Sequence, residues 1–368
     1  MSKKETVFVG TYTQPILFGT GQILQGKGKG IYRYELDLDT GAIEQVGFTP
    51  DVVNPSYLVL SDDHKTLYAV NELKKFKDME CGSISAFSVD SATHMLTLLN
   101  QQPTGGTDPC HVVVSKNGTH VFVANFMSGS VCVYPVQSDG SLGEASQFIQ
   151  HEGYSVNPKR QRGPHAHSTT FSPDGRFAFV PDLGIDKLVA YEPDYTTGKL
   201  AATDSFATLP GAGPRHCVFH PNGKFCYLTN ELDCTIYAMR YNAADGTFEK
   251  LQSVPLMMDD SFTGENSGAD IQITPDGHFL YGSNRGHNSL ICYKADTETG
   301  LLCYVGMTDC HGGVPRNFAI DPTGRYVIVA NQDTDNLVVF SIGIDGVLTY
   351  VTETFAPTPV CVRPYLLG

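Results

Sequence analysis

Charged residues stand at both ends of one hairpin-like stretch, GAGPRHCVFHPNGKFCYLTNEL, which covers residues 211–232. Two apolar runs flank a PNG turn. Arg215 and His216 precede the first run, and Glu231 follows the second. A positioned carboxylate or imidazole can move a proton, and an arginine can hold an anion, so the set is capable of chemistry. The alternative is a plain salt bridge between neighbouring strands, which contributes only about 0–1 kcal/mol when solvated.

The same hairpin occurs six times along the chain. Aligned on their turns, the copies place six residues at one position, 47 to 57 residues apart: Ser61, Ser115, Ser172, His220, Thr274 and Asp321. Each copy is followed by a second pair of strand-like runs joined by an Asp/Gly turn, where glycine allows a positive φ. A four-stranded unit repeated about every fifty residues is typical of a propeller blade.

The two ends of the chain supply a seventh unit. TVFVGTYT (6–13) is similar to the second strand of the hairpin, and TPVCVRP (358–364) is similar to the first. The sequence therefore predicts an all-β, seven-bladed β-propeller, one domain over residues 1–368, with a last blade shared between the N- and C-termini. A β-sandwich would not repeat one hairpin six times. The absence of tryptophan argues against a typical WD-repeat propeller.

In a propeller, the innermost strand of each blade begins where the next strand ends, at one mouth of the central channel. The first ring of predicted channel residues is Ser56, Cys110, His167, Arg215, Ala269, Arg316 and Val360. The second is Tyr12, Glu72, Phe126, Leu183, Glu231, Arg285 and Gln332. Four consecutive blades thus direct one His, three Arg and one Glu to this mouth, with Glu72 across the ring. Strand-end capping without chemistry is the alternative.

Three other motifs are candidate sites. NPKRQRGPHAH (157–167) carries Lys159, Arg160, Arg162, His165 and His167, and it is either a solvated loop or a clamp for phosphate or carboxylate. GTGQILQGKGKG (19–30) lacks a following Lys-Ser/Thr and is interpreted as a blade insertion. His165-x-His167 has no further ligands at matching positions, so we expect no metal. Without a G-x-S-x-G stretch, a serine hydrolase is disfavoured.

Net charge, hydropathy and cysteine content limit the classes of binding partner and the cellular location that we expect. The net charge of −14 disfavours binding to nucleic acid or to an anionic membrane surface. No run approaches the roughly 18 apolar residues that cross a bilayer. Ten cysteines without a C-x-x-C pair, and a start, MSKKETVFVG, without an apolar signal segment, predict a reduced, cytoplasmic protein. We expect a small anionic substrate, no cofactor, and a monomer or homodimer.

The repeat and several motifs resemble the seven-bladed propeller lactonase family, which includes bacterial 6-phosphogluconolactonases and fungal carboxymuconate cyclases. The motifs are GPHAHSTTFSPDG, GAGPRHCVFHPNG, TNEL, GADIQITPDG and PRNFAIDPTG, and the resemblance covers nearly the whole chain. In the cyclase branch a His, an Arg, a Glu and a second Arg are proposed as active-site residues, and they match His167, Arg215, Glu231 and Arg285. The chain departs from the bacterial branch at GPHAH, where that branch often has a shorter stretch.

The resemblance implies metal-independent hydrolysis of a sugar lactone, 6-phosphogluconolactone to 6-phosphogluconate, a step of the pentose phosphate pathway. Glu231 is then the general base. Arg215 and Arg285 hold the anionic substrate and the oxyanion, and His167 orients or donates a proton. The residues assigned to substrate binding are His165, His216, Arg316, Glu72 and Arg162.

Two other functions stay open from the sequence. A lactonizing cyclase would act on a carboxymuconate-like diacid, because several arginines at one mouth suit several carboxylates. A non-catalytic propeller would instead dock a peptide or protein, since the fold alone does not establish chemistry.

Overall fold

The computed structural model describes residues 3–18 and 20–367, and within them every regular element is a β-strand. Seven antiparallel sheets form the blades of a β-propeller, which confirms the predicted fold class. Six blades have four strands, one has a short fifth strand, and a separate two-stranded hairpin lies outside the blades. No helix long and apolar enough to cross a membrane occurs in this part of the chain.

The strands are numbered in chain order. The chain opens with β1 (Lys4–Thr11), β2 (Ile16–Leu17), β3 (Ile23–Leu24), β4 (Gly30–Asp37) and β5 (Ile43–Pro50). Blade 1 is β6 (Pro55–Leu60), β7 (Thr66–Asn71), β8 (Ser83–Val89) and β9 (Leu96–Pro103). Blade 2 is β10 (Pro109–Val114), β11 (His120–Asn125), β12 (Ser130–Pro135) and β13 (Gln147–Gln150). Blade 3 is β14 (Thr170–Phe171), β15 (Ala178–Asp182), β16 (Lys187–Asp194), β17 (Lys199–Ala202) and β18 (Phe206–Ala207).

The second half continues the pattern. Blade 4 is β19 (Pro214–Phe219), β20 (Phe225–Asn230), β21 (Thr235–Asn242) and β22 (Thr247–Pro255). Blade 5 is β23 (Ser267–Ile273), β24 (Phe279–Arg285), β25 (Ser289–Ala295) and β26 (Leu302–Asp309). Blade 6 is β27 (Pro315–Ile320), β28 (Tyr326–Asn331), β29 (Asn336–Ile342) and β30 (Leu348–Phe355), and the chain closes with β31 (Pro359–Tyr365).

Blade 7 joins the two ends of the chain, as predicted. Its strand order is β31-β1-β4-β5, so the C-terminal strand is innermost and pairs antiparallel with β1. Val9 pairs with Val362 in this register, and both side chains are buried in an apolar cluster with Val339 of blade 6. The closure therefore gives β1 a partner on each side and packs the shared blade against its neighbour.

The turn-aligned position of the repeat fastens each inner hairpin. In blade 2 the Ser115 hydroxyl accepts a hydrogen bond from the His120 backbone N–H at 3.0 Å and donates one to Asn117 at 2.8 Å. Ser61, Ser172 and Thr274 make the same pair of contacts, and the Asp321 carboxylate accepts from the backbone of Tyr326. In these five copies a short polar side chain thus stabilises the hairpin by hydrogen-bonding to the backbone of its own turn.

In blades 1, 2, 4 and 6 a β-bulge occurs where the inner strand meets the channel mouth. The register between the first two strands shifts around Ser56, Cys110, Arg215 and Arg316, which lie between a paired proline and the next paired residue. A bulged residue leaves the regular ladder, and bulges commonly redirect side chains near active sites. The residue before the proline has a positive φ, including the β-branched Val314 at 57°, a strained conformation for this residue type.

We predict that Glu5→Gln stabilises the protein at pH 8 by more than about 1 kcal/mol. The Glu5 carboxyl is fully buried, and neither oxygen has a hydrogen-bond partner in the described part of the chain. Burial first, and then Asp321, raise its pKa to about 8. Because the folded-state pKa lies above the unfolded one, wild-type stability falls as pH rises from about 4.5 to about 8. Denaturant unfolding from pH 4.5 to 8 should show a gap between the unfolding free energies of the variant and the wild type, and this gap should widen as the pH rises. A gap that is constant across this range would contradict the assignment.

Candidate active site

The two predicted rings meet at one mouth of the channel, in a cavity of about 1060 Å³. Residues from five blades line it: Glu72, His167, Glu231, Arg285 and Arg316. The β2–β3 hairpin contributes an apolar wall through Phe18 and Leu24. The mouth is therefore a composite site that exists only when the ring is assembled.

Glu231 is the centre of the charged cluster. It follows the last residue of β20 and is almost completely buried. Its Oε2 lies 3.1 Å from Arg215 Nε and 2.9 Å from Arg285 Nη2, and its Oε1 lies 2.6 Å from Arg160 Nη2. Burial alone would raise the pKa of Glu231, but Arg285, Arg160, Arg215 and His167 outweigh it and hold that pKa well below 4.5. The carboxylate is ionised and its lone pairs are engaged by three arginines.

His167 is the closest proton-transfer group to this carboxylate. Its Nε2 lies 4.0 Å from Glu231 Oε2, and its Nδ1 lies 3.8 Å from Cys110 Sγ. Burial, followed by Arg215 and His216, lowers the pKa of His167 well below 6.5. The imidazole is therefore neutral at neutral pH, and it retains the lone pair that a base requires.

The arginines differ in what they can offer a substrate. Arg215 is 2% exposed, and it donates to Glu231 and to the Ala269 carbonyl, so it supports the carboxylate from behind the cavity wall. Arg285 donates to Gly268 O at 2.7 Å, while its buried Nε has no hydrogen-bond partner. Binding of the substrate anion between Arg215 and Arg285, as the sequence suggested, is disfavoured because both guanidinium groups already contact the Glu231 carboxylate.

Arg316 is the cation left available in the cavity. Within residues 3–18 and 20–367 its guanidinium has no hydrogen bond or ion pair with another side chain, and it lies 5.7 Å from the Tyr12 ring centre and 5.4 Å from that of Phe18. Glu72, the second predicted carboxylate, also lines the cavity and accepts a hydrogen bond from Tyr12 at 3.0 Å. Burial raises the pKa of Glu72 above 4.5.

Three predicted substrate-binding residues lie elsewhere. The ring of His165 stacks on Phe126, with its Nδ1 3.0 Å from the Phe126 carbonyl. His216 lies deeper, with Nδ1 2.8 Å from Asp270 Oδ1, and faces a constriction and a second cavity of about 350 Å³ beyond it. Arg162 is exposed and donates to the Pro158 carbonyl of its own loop. None of the three lines the mouth cavity.

Arg160 is the site residue that the sequence did not single out. It belongs to the basic loop 157–167, which was noted as a possible anion clamp, but this loop has no counterpart in the other blades. The repeat alignment therefore could not assign Arg160 to the mouth. Its partner is the protein's own carboxylate.

No metal site accompanies the cluster in the described ranges, where no group of three or more His, Cys, Asp or Glu side chains could hold an ion. The chemistry that the residues offer is proton transfer by His167 beside Glu231, with stabilisation of negative charge by arginine.

Comparison with known proteins finds similarity to a lactonase family and to several proteins with lactonase names. The profile of a family described as "Lactonase, 7-bladed beta-propeller" matches residues 6–364. A 6-phosphogluconolactonase of Bacillus subtilis is 36% identical over 358 residues, 97% of each chain. A crystal structure of a putative 6-phosphogluconolactonase from Bacteroides fragilis superimposes with a TM-score of 0.88 at 34% identity, covering 98% of both chains. A periplasmic gluconolactonase of Pseudomonas aeruginosa gives a TM-score of 0.88 at 33% identity, covering 99% of this chain and 100% of that one.

We predict that inorganic phosphate raises the melting temperature more than chloride at equal ionic strength, because Arg316 offers an unpaired cation in the cavity. An anion at one hundred times its Kd would stabilise the folded state by about 2.7 kcal/mol. Arg316→Ala should lose most of this increment. Arg240→Ala should keep it, because the Arg240 side chain is exposed on β21, a strand that does not line the cavity. An unchanged phosphate increment in the Arg316 variant would show that the anion binds elsewhere.

Proposed function

This chain belongs to the seven-bladed β-propeller lactonase family and is a lactone hydrolase, and we propose that it opens 6-phosphogluconolactone to 6-phosphogluconate. The observation that carries the proposal is one cavity that contains both a neutral His167 beside an ionised Glu231 and a separate arginine, Arg316, that has no ion pair with any described residue. The first pair suits attack on an ester carbonyl, and the arginine suits a distant phosphate.

Water attack begins at the pair of His167 and Glu231. As water bonds to the acyl carbon, His167 Nε2 takes its proton, and the Glu231 carboxylate stabilises the imidazolium that forms. His167 then returns the proton to the ring oxygen as the acyl–oxygen bond breaks. This assignment differs from the role of Glu231 as the sole base, because three arginines already occupy its oxygens and weaken its basicity.

The negative charge that develops on the carbonyl oxygen requires a preorganised donor. Arg285 meets this requirement, since it lines the cavity and its Nη2 is fixed by Gly268 and Glu231. A buried donor that is already oriented stabilises an oxyanion without reorganisation, and removing such a donor typically costs about 10²- to 10³-fold in kcat.

Arg316 is the proposed contact for the phosphate of the substrate. A fixed guanidinium matches the oxygens of a phosphate with two parallel hydrogen bonds. Relatives from Bacillus subtilis and Formosa agariphila are named 6-phosphogluconolactonases, while the Pseudomonas aeruginosa relative is named a gluconolactonase. Comparing the phosphorylated and unphosphorylated lactones is therefore the decisive measurement of substrate class.

We predict that the wild type opens 6-phosphogluconolactone faster than gluconolactone, and that Glu231→Gln lowers kcat/KM by about 10²- to 10⁴-fold. Proton release in weak buffer measures the reaction directly. Glu249→Gln is the matched control, because Glu249 is an exposed outer-strand carboxylate paired with Arg240. Opening only at the spontaneous rate by the wild type would exclude this substrate. An absorbance loss with carboxymuconate would then assign the cyclase reaction.

We predict that kcat/KM is flat at neutral and alkaline pH and falls only at a pH well below 6.5. A base must be unprotonated, and the pKa of His167 is held well below 6.5 by burial and by Arg215. His167→Gln should lower the plateau and abolish this acid limb. A limb centred above pH 7 in the wild type would show that another group is the base.

A further inference from the structure

Arg160 contacts the oxygen of Glu231 that faces away from the other two arginines. Oε2 receives both Arg215 and Arg285 and faces His167, whereas among residues 3–18 and 20–367 Oε1 receives Arg160 alone. The last torsion of a glutamate side chain has a broad, shallow energy profile. Without a donor on Oε1, rotation about this torsion would move Oε2 away from His167.

The loop that carries Arg160 is tied down along its length. His151 Nδ1 lies 2.7 Å from Asp182 Oδ2 at its start, and the Ser155 hydroxyl donates to Asp186. The fully buried Gln161 donates to the Leu183 carbonyl at 2.8 Å. Asn157 Oδ1 accepts from the backbone N–H of Arg160 at 3.1 Å. The backbone of Arg160 is thus fixed beside the mouth by blade 3.

The guanidinium of Arg160 lies on the cavity side of Glu231. Its side chain is 20% exposed, compared with 3% for Arg215 and 15% for Arg285, and it lines the mouth cavity. Its removal would open a solvent-accessible space next to Oε1. A small cation from solution could then enter that space.

We propose that Arg160 is a positioning residue, which fixes the rotation of the Glu231 carboxylate so that Oε2 stays beside His167. This inference rests on the proposed lactone hydrolysis. Arg162 is a natural contrast within the same loop, because it is the same residue type two positions later, is exposed, and donates to the Pro158 carbonyl. One arginine thus has a role at the reacting centre and the other has none.

The test is steady-state kinetics of Arg160→Ala on 6-phosphogluconolactone, with Arg162→Ala as the control. We expect kcat to fall about 10- to 100-fold with KM within threefold of the wild type, since misplacing a catalytic group by about 1 Å costs this much. Added guanidinium chloride at millimolar concentration should restore kcat several-fold, and tetramethylammonium chloride should not. Arg162→Ala should match the wild type.

Other outcomes of the kinetic test of Arg160→Ala would lead to different conclusions. A normal kcat with a raised KM would make Arg160 a substrate clamp, and a kcat within twofold of the wild type would remove any role; both overturn the proposal. An equal response to the two salts would also overturn it. If the wild type opens no lactone, the proposed function fails, whereas an active wild type with an unaffected variant fails only this inference. Thermal melting, with and without phosphate, checks that Arg160→Ala folds and still binds the anion at Arg316.

Discussion

The channel mouth depends on one buried carboxylate shared by three arginines. Removing a charged group from water costs several kcal/mol, so a buried Glu231 is tolerable only with cations in direct contact. The same holds in reverse for Arg215, which is buried and depends on this carboxylate as its anion. Neither charge could occupy the mouth alone.

This mutual dependence ties the site to the closure of the ring. Glu231 and Arg215 come from blade 4 and Arg285 from blade 5, while Arg160 comes from the connection between blades 2 and 3. Their contacts require neighbouring blades at fixed angles. The pairing of β31 with β1 fixes those angles by leaving the ring no open edge. The strand pairing that closes blade 7 therefore helps to fix the distances between the charged side chains at the mouth.

The sequence predicted much of this because both the fold and the rings repeat. A position that recurs in six hairpins can be aligned, and the alignment placed His167, Glu231, Arg285 and Arg316 at one mouth. The alignment assigned no ring position to His216, the neighbour of the bulged Arg215, and the structure places its Nδ1 2.8 Å from Asp270 Oδ1, deeper in the channel. The alignment also missed Arg160, because a loop without a repeat partner has no register from which to predict contacts.

The sequence also did not predict which arginines contact the Glu231 carboxylate. Three arginines at a mouth suggest several sites for a substrate anion, yet contacts with Glu231 occupy two of them, Arg215 and Arg285, together with Arg160. Among the described residues Arg316 has no ion pair, and the rings of Tyr12 and Phe18 lie beside its guanidinium. The cavity lining has no excess of positive charge to attract an anion, because it combines three arginines with five carboxylates: Arg160, Arg285 and Arg316 with Glu72, Asp108, Glu231, Glu265 and Asp333. Since salt screens charges beyond about 8 Å, an anionic substrate that reaches the cavity depends on direct contact with Arg316 rather than on the net charge of the protein.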